Sequence, residues 1–168
     1  MRFVKLGLIS FVFFFLLLTA FSLLLPSKTN ISRAIDINAP ADSVYAFVEN
    51  MAKWKNWYAN YDSAKAYLSS TIVGKGASLT MDNTIVTVTE AVPGKIKAVW
   101  QTGKNNPVEG EFNFIPRDSA SSMILHWNFI QKVKWYPWQK FASIFSDKTI
   151  GPFMEKSMDN LKREAEKE

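Results

Sequence analysis

The chain has 168 residues, 48% hydrophobic and 21% charged, with a formal net charge of +5 and no cysteine. A disulfide framework, a thiol nucleophile and a zinc-thiolate centre are thereby excluded. Beyond residue 25 the 18 basic residues face 15 acidic ones and are spread along the chain rather than gathered in one stripe, which argues against nucleic acid as a partner.

Arg2 and Lys5 open the chain, and a predominantly apolar, uncharged run follows from Leu6 to Leu25, ending at Pro26. A helix rises about 1.5 Å per residue and the hydrocarbon core is about 30 Å thick, so this run is long enough to cross a bilayer. The rival is a cleaved secretory signal, with Ala20 and Ser22 flanking Phe21 at a processing site. The run continues through Leu23, Leu24 and Leu25, however, beyond the usual signal length of about 7 to 15 residues. Residues 1–25 therefore read as a retained signal-anchor helix, with secretion the outcome if the segment is cleaved. No cysteine follows the run, which removes a lipoprotein anchor. Arg2 and Lys5 favour an inward N-terminus, which puts the remainder on the extracytoplasmic side of a plasma or inner membrane as a single-pass protein.

Residues 26–30 read as a short polar linker spanning at most about 17 Å, and residues 31–168 as one domain large enough to bury a core. Ile31 to Asn38 alternates, with Ile31, Arg33, Ile35 and Ile37 on one side, which predicts a strand. Pro40, Asp42 and the stripe Val44, Phe47 and Val48 predict a short helix ending near Asn50. Trp54 and Trp57, three apart, predict a second short helix. From Lys65 to Phe129 five or six alternating runs are separated by turns at Gly74 and Gly76, Asp82-Asn83, Pro93-Gly94, 103–107 and 116–119, which predicts an antiparallel meander. Within it Ile96, Ala98 and Trp100 share a face, as do Val108, Phe112 and Phe114, and Met123, Leu125, Trp127 and Phe129. The tail supplies a cover, because Ile150, Met154, Met158, Leu161 and Ala165 recur at helical spacing.

Strand, two short helices, meander and long terminal helix make an α+β chain of the helix-grip order, in which a curved antiparallel sheet wraps its last helix. The run from Arg33 to Val48 with Trp54 and Trp57, the pair 110–116 and 121–127, and Gly151-Pro152-Phe153-Met154-Glu155 resemble the START-related SRPBCC superfamily, particularly its polyketide cyclase/dehydrase and lipid-transport branch. The resemblance covers residues 31–168. It implies a Bet v 1-like fold with an internal apolar cavity for a lipid-like or other hydrophobic small molecule; no cofactor is expected from the motifs present. Trp57, Trp100, Phe112, Phe114, Leu125, Trp127, Met154 and Met158 are the candidate cavity-lining residues, although the same side chains serve equally as solid core.

Catalytic signals are thin. The single histidine, His126, alternates away from Leu125 and Trp127 and is expected to face solvent without a positioned partner. Glu109 and Glu111 share a face, but no third ligand is spaced for a metal. No nucleophile elbow, phosphate loop or dinucleotide fingerprint occurs. The expectation is a membrane-anchored binding protein; a cyclase or hydrolase acting on a hydrophobic substrate, and a structural module with a filled core, are the alternatives. Lys132, Lys134, Trp135 and Trp138, together with Tyr136, Pro137 and Lys140, are candidates for contact with the bilayer near the cavity mouth. The competing use of Trp135, Trp138 and Phe141 is to plug the open end of the sheet, and the ordinary burial of aromatic rings favours it.

Overall fold

The structure is a computed structural model that describes residues 2–61, 65–117 and 121–167. Helix α1 (Arg2–Leu24) contains the stretch Phe3–Leu24, which has a mean hydropathy of 2.5 and is long and apolar enough to cross a membrane. Its side chains point almost entirely away from the rest of the protein, with Ser22 near its end the buried exception.

Strand β1 (Lys28–Ile37) follows after three residues and pairs antiparallel with β7 (Met123–Lys132) along its whole length, from Lys28 opposite Lys132 to Ile37 opposite Met123. Lys28, Thr29 and Asn30, expected as linker, are thus strand. Their polar side chains carry no alternation, but their backbones extend the ladder with β7. The link between α1 and the sheet is correspondingly shorter than the sequence suggested.

Helix α2 (Ala41–Glu49), a 3₁₀ turn at Met51–Lys53 and α3 (Trp54–Trp57) then cross to the meander, burying Val44, Phe47, Val48, Met51, Trp54 and Trp57. Strands β2 (Ala66–Leu68), β3 (Ser78–Met81), β4 (Thr84–Val92), β5 (Lys95–Thr102) and β6 (Val108–Pro116) complete a seven-stranded antiparallel sheet ordered β1-β7-β6-β5-β4-β3-β2. Among its turns, Pro93-Gly94 places Gly94 at φ 78°, a left-handed conformation that glycine adopts without the clash a Cβ brings. The expected 116–119 turn lies partly outside the described residues. Alternation holds across the sheet: Ile96, Ala98, Trp100, Phe112, Phe114, Met123, Leu125, Trp127 and Phe129 are all buried on the concave side.

After the short α4 (Pro137–Ser143), helix α5 (Ser146–Ala165) covers that concave face with Met154, Met158, Leu161 and Ala165. Polar ties from several elements hold it. Arg33 reaches across from β1 to Glu155 at 2.6 Å and Asp147 at 3.0 Å, and the two carboxylates raise the guanidinium pKa further. Gly151 leaves room for that guanidinium, since a Cβ there would lie 2.1 Å from it. Asn160 Nδ2 donates to the Trp57 carbonyl at 3.2 Å, and Glu166 accepts from the Asn38 N–H at 2.8 Å.

Candidate functional site

Strand register builds an aromatic layer between sheet and helix. Phe112 lies directly opposite Trp127, and their rings stack with centroids 4.7 Å apart. Trp100 leans over Gly110 onto Phe129, ring to ring at 4.6 Å. A Cβ on Gly110 would sit 2.3 Å from the Trp100 ring, so this glycine is the space the indole occupies. Helix α3 contributes Trp54 and Trp57, followed by Tyr58, while Phe153 of α5 closes the far side, 5.0 Å from Tyr58 and 6.0 Å from Trp127.

The polar atoms of this layer are satisfied with one exception. Trp54 Nε1 donates to the Val48 carbonyl at 2.9 Å, Trp57 Nε1 to that of Phe47 at 3.4 Å, and Trp100 Nε1 to the Tyr58 hydroxyl oxygen at 2.9 Å. Burial pushes the Tyr58 phenol up to about 12, and the Trp100 hydrogen bond only partly opposes the shift. Trp127 Nε1 is fully buried and donates to no acceptor among the described residues.

Of the eight cavity-lining candidates, Trp57, Trp100, Phe112 and Trp127 meet in this layer, and Met154 and Met158 lie on the buried face of α5. Phe114 does not join them. It packs edge-on against Tyr45 at 5.2 Å near the opposite end of the sheet and lines a separate 380 Å³ cavity with Ala41, Pro93 and Pro116. Leu125, its cross-strand partner, is fully buried at that same position along the ladder. Tyr58 and Phe153 were missed in the sequence. Tyr58 stands four residues after Trp54 and Phe153 three after Ile150, so helical spacing was the signal that could have found both.

A cavity of about 430 Å³ opens at the end of the sheet nearest α1. It is bounded by the β5–β6 turn, the end of β7 and the α4–α5 junction, and Trp100 belongs both to this cavity and to the aromatic layer. Lys104, Lys132 and Lys134 are among its walls. Lys132 also pairs with Glu109 at 2.8 Å and holds that carboxyl below the usual range.

The α4 region corrects the plug expectation. Trp135 and Trp138 are 59% and 61% exposed, Ile144 and Phe145 are equally open, and Phe141 is at the edge of exposure. The reason is the docking of α4 on the end of α1. Lys140, only 2% exposed, donates from Nζ to the Leu25 carbonyl at 2.8 Å and to Ser27 Oγ at 2.9 Å. With Lys140 and Pro137 turned inward, the remaining large side chains are directed outward, Tyr136 stacking on Trp138 at 5.0 Å. Lys140, grouped in the sequence with the bilayer-attracting lysines, is therefore a buried tie.

His126 sits half-buried on the convex face, with Nε2 2.6 Å from Ser32 Oγ and Nδ1 3.3 Å from the Asn128 amide. An amide N–H donated to Nδ1 leaves Nε2 to donate to Ser32, and no carboxylate joins this pair among the described residues. Glu111 accepts from Asn113 at 2.9 Å, and no group of three metal-ligating residues occurs among the described residues.

The family described as polyketide cyclase/dehydrase and lipid transport matches residues 28–166. The chain belongs to that family. The family description suggests a ligand-binding domain, and its members' fold is recognisable in solved structures. A START superfamily protein from Mycobacterium smegmatis is 16% identical, with 82% of this chain and 97% of that one covered at a TM-score of 0.60. Norcoclaurine synthase from Thalictrum flavum, solved with dopamine and hydroxybenzaldehyde, is 13% identical, with 81% and 85% covered at 0.63. A Nitrosospira multiformis protein is 12% identical, with 82% and 96% covered at 0.62. No curated protein matches the chain. At these identities the likeness establishes the START/SRPBCC fold and leaves chemistry to the residues.

Proposed function

We propose that this family member is a membrane-anchored binding protein that holds a small hydrophobic or lipid-like molecule between its sheet and α5. The observation that carries the reading is Trp127 Nε1, a buried donor with no acceptor among the described residues, set in a layer of aromatic rings. Leaving such a donor unpaired costs about 1–3 kcal/mol, and an apolar ligand bearing one acceptor atom offsets that cost. The site offers rings, the Trp127 N–H and the Tyr58 hydroxyl, with no base and nucleophile in mutual reach among the described residues, which favours binding over turnover.

Retention of α1 is supported by the burial of Ser22, which precedes the cleavage point, while Lys140 on the Leu25 carbonyl holds the segment just beyond it. The exposed rings of Trp135 and Trp138 then lie where the helix leaves the bilayer, a depth that suits tryptophan. Native mass spectrometry of the full chain released from mild detergent tests the reading. A hydrophobic small molecule retained by the wild type and lost in Trp127→Phe is the expected result. A chain that carries nothing and takes up nothing from a total lipid extract contradicts it. Separately, the chain should remain with membranes through alkaline carbonate washing, and a soluble product beginning near Leu23 would overturn the anchor.

A further inference from the structure

The 430 Å³ cavity beside α1 differs in chemistry from the aromatic layer it adjoins. Three lysines, Lys104, Lys132 and Lys134, stand on its walls and no carboxylate does. Lys132 is shared with Glu109, whereas Lys104 and Lys134 form no ion pair among the described residues. Asn105, Gln139, Ser143 and Ser146 also line it, with the Ser143 hydroxyl donated to the Lys140 carbonyl at 2.7 Å and that of Ser146 to Gln131 Oε1 at 3.4 Å. Ser146 is the first residue of the 20-residue α5, and Asp147, the acidic residue of that first turn, is engaged by Arg33. The positive end of the helix dipole therefore adds to the lysines.

Position narrows the source of the anion. The cavity opens at the end of the sheet where α1 joins β1, and one wall is α4 itself. Ala142 and Ser143 of that helix line the cavity, while Trp138 and Phe141, and Ile144 just beyond it, are exposed. A molecule with a phosphate at one end and hydrocarbon at the other matches this division, since its charged end meets lysine while its chains stay on the apolar outer side. A choline headgroup would bring a second cation against Lys104 and Lys134.

We propose that this cavity is a headgroup site for an anionic phospholipid, with the lipid phosphate among Lys104, Lys132 and Lys134 and the acyl chains left along the outer side of α4. The proposal rests on the membrane-anchored reading above but not on the ligand of the aromatic layer. The shared chemistry is a phosphate anion, and the experiment must separate a lipid from free phosphate.

The full chain in neutral maltoside micelles is titrated with dihexanoyl phosphatidylglycerol, dihexanoyl phosphatidylcholine or inorganic phosphate, and bound species are counted by native mass spectrometry. Phosphatidylglycerol should be retained about tenfold or more over phosphatidylcholine, and Lys104→Gln/Lys134→Gln should reduce it to the phosphatidylcholine level with an unchanged melt. Equal retention of the two lipids, or no response to the double substitution, overturns the proposal. Displacement of phosphatidylglycerol by an equal concentration of inorganic phosphate assigns the site to free phosphate and also overturns it. Trp127→Phe leaves Lys104 and Lys134 in place, so loss of the core ligand and loss of headgroup preference are separate results; the carbonate wash reads the anchor independently of both.

Discussion

The six tryptophans fall into two groups that the same chain treats in opposite ways. Trp54, Trp57, Trp100 and Trp127 are buried, ring against ring, under α5, whereas Trp135 and Trp138 are exposed beside the end of α1. Residue type does not separate them. What does is the element each one rides on: β5 and β7 alternate and α3 turns its pair inward, while α4 is pinned by Lys140 to the end of α1, leaving Trp138 on it and Trp135 just before it turned out. An aromatic-rich segment thus becomes core when its element presents a face to the sheet, and surface when a polar tie consumes its inward side.

The largest effect expected on the buried side is that of Met158→Asp. Polar burial without a partner costs about 2–7 kcal/mol even for a neutral group, so the cooperative melt should vanish. An unchanged melt would mean that water reaches this face of α5. Trp127→Ala should cost about 3–5 kcal/mol by chemical denaturation, the range for emptying a large aromatic site.

Tyr58 gives the same layer a pH signature. Its folded pKa of about 12 lies above the free value of about 10, so its contribution is fully present below pH 10 and is lost as pH rises towards 12. The Tyr58 share of the loss should approach about 2–3 kcal/mol, read as the amount by which Tyr58→Phe narrows the stability difference between pH 9 and pH 12. Gly110→Ala should cost about 1–3 kcal/mol by crowding the Trp100 ring, with a change in near-ultraviolet dichroism as that ring shifts.

The smallest effects belong to the other group. Trp138→Ala should change stability by less than about 0.5 kcal/mol, and His126→Ala on the convex face by about 0.5–1.5 kcal/mol through its hydrogen bond with Ser32. A large loss from Trp138→Ala would restore the plug reading and dissolve the contrast between the two groups.

The contrast also marks how far the sequence could be read. Period two in β5, β6 and β7, and the 154, 158, 161, 165 stripe of α5, exposed the fold and its inner face because burial there repeats along a regular element. Lys28 to Asn30 escaped, since a polar strand end is specified by the partner's backbone rather than by side chains. Lys140 escaped for a related reason: its burial depends on the Leu25 carbonyl, 115 residues away. The unpartnered donor of Trp127 is likewise invisible in sequence, where each of the six indoles carries the same N–H.

The six indole N–H resonances of the full chain, recorded by ¹H–¹⁵N correlation in micelles before and after addition of an apolar lipid extract, test the central claim most directly. The Trp127 resonance is expected to move as its donor finds an acceptor, while that of Trp54, already bonded to the Val48 carbonyl, stays in place. Movement confined to Trp135 and Trp138, with Trp127 unchanged, would contradict a ligand held beneath α5.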